Sequence, residues 1–235
     1  MSAAGGWILV PGWGADAEAF AAVLARLPGV AARVVGWDEL LVRGGAALDE
    51  ACGALGPGPV RLAGWSLGAL LALEAALAAP DRFAALALVS GTARFCADGE
   101  GHPGTEPRAL RAMTARLGRD REPVLGAFAA ACAAPDGGEA AAAAWLAQAS
   151  RSSSEALARG LSALGALDLR ARAATLRLPV RLLHGDADAI VPVAAAAALA
   201  AQLPRARLTV LAGRGHALPL SAPAEVAALL AEAGR

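Results

Sequence analysis

Short apolar runs alternate with stretches of helical period along most of the chain. Residues 7–10, 33–37, 60–64, 85–90, 180–184 and 208–211 are compact runs rich in Val, Leu and Ile, bounded by Gly, Pro or Asp, which is the pattern of buried strands. Between them lie helical patterns. Asp16 is placed to cap a helix over 16–27, with Ala17, Phe20, Val23, Leu24 and Leu27 on one face. A weaker helix is predicted over 41–55, stopped by Gly56-Pro57-Gly58-Pro59. Further helices are predicted from 66 to about 78, over 193–203, and over 223–233 with Ser221 as the cap. Strands and helices in this alternation predict an α/β fold. Its core is a mostly parallel central sheet of about six strands, with helices on both faces.

The alternation stops between Gly91 and about Thr175. Helical patterns at 107–117, 122–133, 139–149 and 154–164 follow one another with no strand between them. They predict a helical cap inserted at about 100–170 in a single domain over 1–235; a plain helical extension has the same pattern.

Composition narrows the chemistry. The 235 residues are long enough for one full core, and 57% are hydrophobic, most of them alanine. The formal net charge is +0, which gives no electrostatic reason for binding nucleic acid or an anionic membrane. Every basic side chain other than histidine is arginine. A chain without lysine excludes Schiff-base and pyridoxal-phosphate enzymes and P-loop NTPases, which need that amine. Cys52, Cys96 and Cys132 form no CxxC pair, and His102, His184 and His216 are far apart. No metal site and no cofactor are therefore expected, and the thiols read as small core or pocket residues in a reducing compartment. Met1-Ser2-Ala3-Ala4-Gly5-Gly6 lacks the form of a signal peptide. Glu74, Asp81 and Arg82 interrupt the most apolar region. A soluble, cytoplasmic, monomeric protein is the expectation.

The candidate chemistry begins at Gly64-Trp65-Ser66-Leu67-Gly68. Gly-x-Ser-x-Gly between an apolar strand and an apolar helix has the form of a nucleophile elbow, which pushes a serine out of the sheet on a sharp turn. The helix that follows begins beside the serine, where its free N–H groups favour a developing oxyanion. A serine hydroxyl needs a base. His216, in Gly213-Arg214-Gly215-His216-Ala217 after the last strand, is the candidate. A third group must orient the imidazole. Asp188 in Gly185-Asp186-Ala187-Asp188-Ala189-Ile190-Val191-Pro192 fits best, with Asp186 as the nearby competitor and Asp38 as the distant one. The order Ser66, Asp188, His216 suits a hydrolase sheet. Two backbone donors should meet the oxyanion: the N–H of Leu67, and that of Trp13 in Gly12-Trp13-Gly14. His102 and His184 read as structural.

Pro11-Gly12-Trp13-Gly14, the Gly64–Ala69 elbow and the 185–192 segment together resemble the α/β-hydrolase superfamily. Within it they resemble the BioH-type pimeloyl-[acyl-carrier protein] methyl ester esterases of biotin synthesis. Residues 90–107 and Leu167-Asp168-Leu169-Arg170 agree with that resemblance. It implies a serine carboxylesterase with Ser66, Asp188 and His216 as triad, and an acyl-carrier protein bearing the ester as partner. It also implies a substrate site formed by Trp13, Ser66, Leu67, His216 and the segment Phe128, Ala129, Ala130, Ala131, Cys132. Pro11 stands where the family usually has histidine. Ala127 and Pro123 stand where cap arginines would be expected to dock the carrier, with Arg116, Arg119 and Arg121 nearby. Two alternatives remain open: a general short-chain carboxylesterase or thioesterase, and a ligand-binding receptor on a hydrolase fold.

Overall fold

The structure is a computed structural model and describes residues 6–233; residues 1–5 of the leader reading lie outside that range. Six strands form one sheet in the order β2-β1-β3-β4-β5-β6, and every pairing is parallel. They are β1 (Trp7–Val10), β2 (Ala32–Val34), β3 (Arg61–Trp65), β4 (Leu86–Val89), β5 (Val180–Gly185) and β6 (Ala206–Leu211). Residues of β1 and β4 are buried throughout. A parallel sheet covered on both faces requires this, which is why these strands read as continuous apolar runs rather than alternating ones.

The helices are α1 (Ala21–Leu24), α2 (Trp37–Arg43), α3 (Gly45–Leu55), α4 (Leu67–Ala78), α5 (Pro107–Leu117), α6 (Arg121–Ala133), α7 (Gly138–Arg151), α8 (Ser154–Ala166), α9 (Arg170–Ala173), α10 (Val193–Gln202), α11 (Leu218–Ser221) and α12 (Pro223–Ala233). The long helices α5 to α8 sit between β4 and β5, at the predicted insertion. Strand order reverses direction at β1 and β3: the chain leaves β1 toward β2 on one side and β3 toward β4 on the other. Loops that part in this way leave a crevice at the carboxyl ends of the strands, where ligands of open α/β sheets bind.

Several predicted elements differ. The 16–27 helix is a 3₁₀ turn (Ala17–Phe20) followed by the single turn of α1. Asp16 caps it as expected, accepting from the Glu18 N–H. Trp37 is not the end of a strand. β2 stops at Val34, and Trp37 opens α2 with its indole N–H donating to the Ala15 carbonyl at 3.1 Å. The predicted 41–55 helix is two helices, broken at Gly44, whose φ of 56° lies in the left-handed region. Ser221 falls inside α11 rather than capping α12.

Candidate active site

The elbow is built by close approach. Ser66 joins β3 to α4 with φ 58° and ψ −120°, a conformation rarely adopted by a residue with a side chain. Two glycines make it feasible. A Cβ on Gly64 would lie 2.1 Å from the Gly68 carbonyl oxygen, and one on Gly68 would lie 2.1 Å from the Val10 carbonyl oxygen. The backbones of β1, β3 and α4 thus pack against each other with no room for a methyl group. The Ser66 N–H donates to the Val89 carbonyl at 2.9 Å, which ties the turn to β4. The loop after β1 lies against the serine: a Cβ on Gly12 would be 3.2 Å from the Ser66 Cβ. Leu67 opens α4, so its N–H is a first-turn donor with no helical carbonyl to satisfy it.

From Ser66 a line of hydrogen bonds runs inward. Its Oγ is 2.8 Å from His216 Nε2, and His216 Nδ1 is 2.7 Å from Asp188 Oδ2. Asp188 Oδ1 accepts from the N–H groups of Ile190 and Val191, each at 2.8 Å. Burial pushes the Asp188 carboxyl up. The charge of His216 and hydrogen bonds from both histidines outweigh burial and hold it well below the usual carboxylate range. A carboxylate that stays ionised keeps the imidazole in the tautomer with the proton on Nδ1, leaving Nε2 free to accept from the serine.

The residues predicted from sequence are brought together here: Ser66, Asp188, His216, Leu67 and Trp13. The two competitors for the acid lie elsewhere. Asp186 is exposed and accepts from the Gly213 N–H at 2.7 Å, shaping the turn, and Asp38 accepts from Arg159 Nε at 2.9 Å. Phe128 stacks edge-on against Trp13 with centroids 5.0 Å apart. Its segment is one helix, and five consecutive helical residues cannot share a face. Phe128 and Cys132, four apart, turn inward, while Ala130 is exposed and stands away from the site. Burial pushes the Cys132 thiol up, and the charge of Asp188 adds to this, so the thiol stays protonated.

Sequence reasoning missed the residues that aim the histidine. Its carbonyl accepts from the Trp65 indole N–H at 2.9 Å and from the Ser90 hydroxyl at 3.0 Å. Its loop is latched to the end of α6. Gly215 N–H donates to Asp136 Oδ1 at 2.7 Å, Arg214 Nη1 donates to Asp136 Oδ2 at 3.1 Å, and Ala217 N–H donates to the Cys132 carbonyl at 3.1 Å. His184 is buried, as a structural residue should be, with Nε2 2.8 Å from the Val191 carbonyl. The same nitrogen lies 3.3 Å from Asp188 Oδ2. Both neighbours are acceptors, so Nε2 carries the proton and His184 supports the acid. His102 Nε2 lies 2.9 Å from the Arg94 carbonyl in the loop after β4, away from this line. Among the described residues no group of His, Cys, Asp and Glu could hold a metal ion, and no helix is long and apolar enough to cross a membrane.

Comparison with known proteins agrees with this architecture. The chain is 35% identical over 171 residues to the pimeloyl-[acyl-carrier protein] methyl ester esterase of Nitrosomonas europaea, covering 71% of this chain and 68% of that protein. It is 32% identical over 243 aligned positions to the protein of the same name from Aromatoleum aromaticum, covering 97% of each. In fold it is similar to an esterase from Exiguobacterium antarcticum, with a TM-score of 0.86 at 20% identity over 98% of this chain and 92% of that one. The model of the alpha/beta hydrolase family matches residues 5–229, and the chain belongs to that family.

Proposed function

We propose that the protein is a serine carboxylesterase that hydrolyses the methyl ester of pimeloyl-[acyl-carrier protein], a step of biotin synthesis. One observation carries the reading: an unbroken line from Ser66 Oγ through His216 to Asp188, with contacts of 2.8 Å and 2.7 Å, on a serine held at a positive φ. The two relatives that carry this activity in their names support the substrate.

The chemistry follows from the geometry. Ser66 Oγ attacks the ester carbonyl while His216 Nε2 takes its proton, and Asp188 stabilises the imidazolium. The oxyanion is met by the backbone N–H groups of Leu67 and Trp13. Collapse breaks the C–O bond to methanol, which leaves with the proton from His216. Water, deprotonated by the same nitrogen, then releases the carboxylic acid and restores Ser66. The α5–α8 insertion acts as a cap on this single domain. An apolar cleft of about 410 Å³ between α5 and α6 is lined by Ala109, Met113, Val124 and Phe128, with Arg116 on its wall. The cleft reaches Trp13 through Phe128, so it suits the outer part of an acyl chain, and a guanidinium beside it suits the acidic surface of a carrier protein.

The test is hydrolysis of methyl pimeloyl-acyl-carrier protein by wild type and Ser66→Ala, beside a short p-nitrophenyl ester. Wild type should prefer the carrier substrate, and the variant should cleave neither. Cleavage of the short ester alone would keep the triad and remove the carrier substrate. Cleavage by the variant would remove the triad.

A further inference from the structure

The loop that carries Trp13 is gripped by one face of α7. Trp145, Gln148 and Arg151 are spaced three apart and share that face. Trp145 Nε1 donates to the Trp13 carbonyl at 3.1 Å. Gln148 Oε1 accepts from the Asp16 N–H at 3.0 Å, while its own Nε2 is held by the Ala144 carbonyl at 3.1 Å. Arg151 pairs with the Asp16 carboxylate at 2.5 Å. Gly14, at φ 71°, lets the loop run flush against the Trp145 ring; a Cβ there would lie 2.6 Å from Trp145 Cζ2. From α8 the Leu157 carbonyl accepts the Trp13 indole N–H at 2.8 Å. Both Trp145 and Gln148 are buried, at 1% and 3% exposure.

We propose that α7 is a clamp on the oxyanion loop, with Trp145 as the positioning residue that aims the Trp13 N–H and Gln148 as its support. The inference rests on the reading of Trp13 and Leu67 as the oxyanion donors. Its physical basis is the freedom of the loop itself. Gly12 and Gly14 flank Trp13, and a glycine-flanked peptide does not hold one orientation unaided. The carbonyl and N–H of Trp13 belong to two peptide planes that meet at its Cα. With the carbonyl tied to Trp145 and the indole tied to Leu157, the φ and ψ of Trp13 are fixed, and so is the direction of its N–H. An oxyanion donor acts only where it points at the charge that develops in the transition state, so loosening the clamp removes stabilisation from that state alone. Trp145 touches no reacting atom in this scheme.

The test compares wild type with Trp145→Phe, which keeps a ring and removes the donor, and with Gln148→Leu. Fluorophosphonate titration of Ser66 counts the competent molecules, so that each kcat refers to folded enzyme. Losing the aim of one donor should lower kcat about tenfold, less than the loss of a whole donor, with KM unchanged. Affinity for an alkyl boronate, which becomes tetrahedral on the serine, should fall by the same factor, while affinity for the planar carboxylate product should hold. Gln148→Leu should move the same quantities in the same direction by less. Unchanged kcat in both variants, or equal loss for boronate and carboxylate, would overturn the clamp. Ser66→Ala serves as the separate control. If it still turns over ester, the proposed function fails; if it is inactive while Trp145→Phe matches wild type, only the clamp fails.

Discussion

The indole N–H of Trp65 and the backbone carbonyl of His216 form a buried hydrogen bond of 2.9 Å, joining the residue before the serine to the histidine that faces it. The same carbonyl takes a second donor, Ser90 Oγ, at 3.0 Å. The histidine is therefore aimed from the two strands β3 and β4 as well as from its own loop. Trp65→Phe keeps most of the apolar contact and deletes the donor. Loss of one buried hydrogen bond should lower stability by about 1–2 kcal/mol. It should lower kcat more than it changes KM, because the serine–histidine contact loosens. Urea midpoints read the first effect and steady-state kinetics the second. Unchanged kcat in a destabilised variant would show that the bond supports the fold and not the histidine.

Strain at Ser66 gives a prediction about stability. Ser66 holds φ 58° and ψ −120°, a region that disfavours any side chain and suits glycine. Ser66→Ala and Ser66→Gly should both be inactive, but they should differ in stability. Glycine relieves the strain that alanine retains, so Ser66→Gly should be the more stable of the two by about 1 kcal/mol after the flexibility of its unfolded chain is counted. Thermal unfolding of the pair decides it. Equal midpoints would mean that the turn relaxes around alanine.

How far the sequence could be read follows from what sets each feature. Parallel strands buried on both faces are apolar runs, and the elbow is a local turn, so the sheet, Ser66, and the loops carrying Asp188 and His216 were legible. Trp37 was not. A short apolar run ending in an aromatic has no period that tells a strand's end from the first turn of a buried helix. The break at Gly44 was hidden because a glycine pair inside an apolar helix does not show which residue takes a positive φ. Ser90, Asp136 and Trp145 were out of reach for another reason. Each acts on a residue 126, 79 or 132 positions away, through contacts that exist only once the fold brings them together. Ala130 falls outside the site because a resemblance transfers whole segments, whereas a helix with a period of about 3.6 residues turns part of any five-residue segment away.

Glycines in this fold divide by what surrounds them. A methyl group on Gly68 would meet the backbone oxygens of Val10 and Pro11 at 2.1 Å and 2.4 Å, and backbone at the end of the central strand β1 cannot swing aside. Gly68→Ala should force α4 off β1, with a loss of about 3 kcal/mol or more and a fall in activity as the Trp13 loop shifts. Gly53 is exposed within α3 with nothing within 4 Å of its added Cβ. Gly53→Ala should instead stabilise by about 0.5–1 kcal/mol through helix propensity. Denaturant titration of the two variants checks the contrast, and a neutral Gly68→Ala would refute the close packing at the elbow.

Asp188 links the site to pH. Burial alone would raise its carboxyl, but His216 and His184 hold it below the ordinary value of 3.8. A carboxyl depressed on folding stabilises the native state above its unfolded pKa, and that contribution is lost as pH falls through the folded value. The window therefore opens below about pH 4 and extends downward. Asp188→Asn removes the charge, so the stability gap between wild type and variant should narrow as pH falls below about 4. Asp188 is held well below the ordinary carboxylate range, so its own titration should leave kcat/KM unchanged near neutral pH. Asp188→Asn should lower kcat by about 10⁴ without a compensating fall in KM, because an amide cannot hold the imidazole in the accepting tautomer. Urea midpoints against pH test the first statement and pH–rate profiles the second. A stability gap that stays constant to pH 3 would show that Asp188 is not depressed by the two histidines, and the account of how the imidazole is held would fall with it.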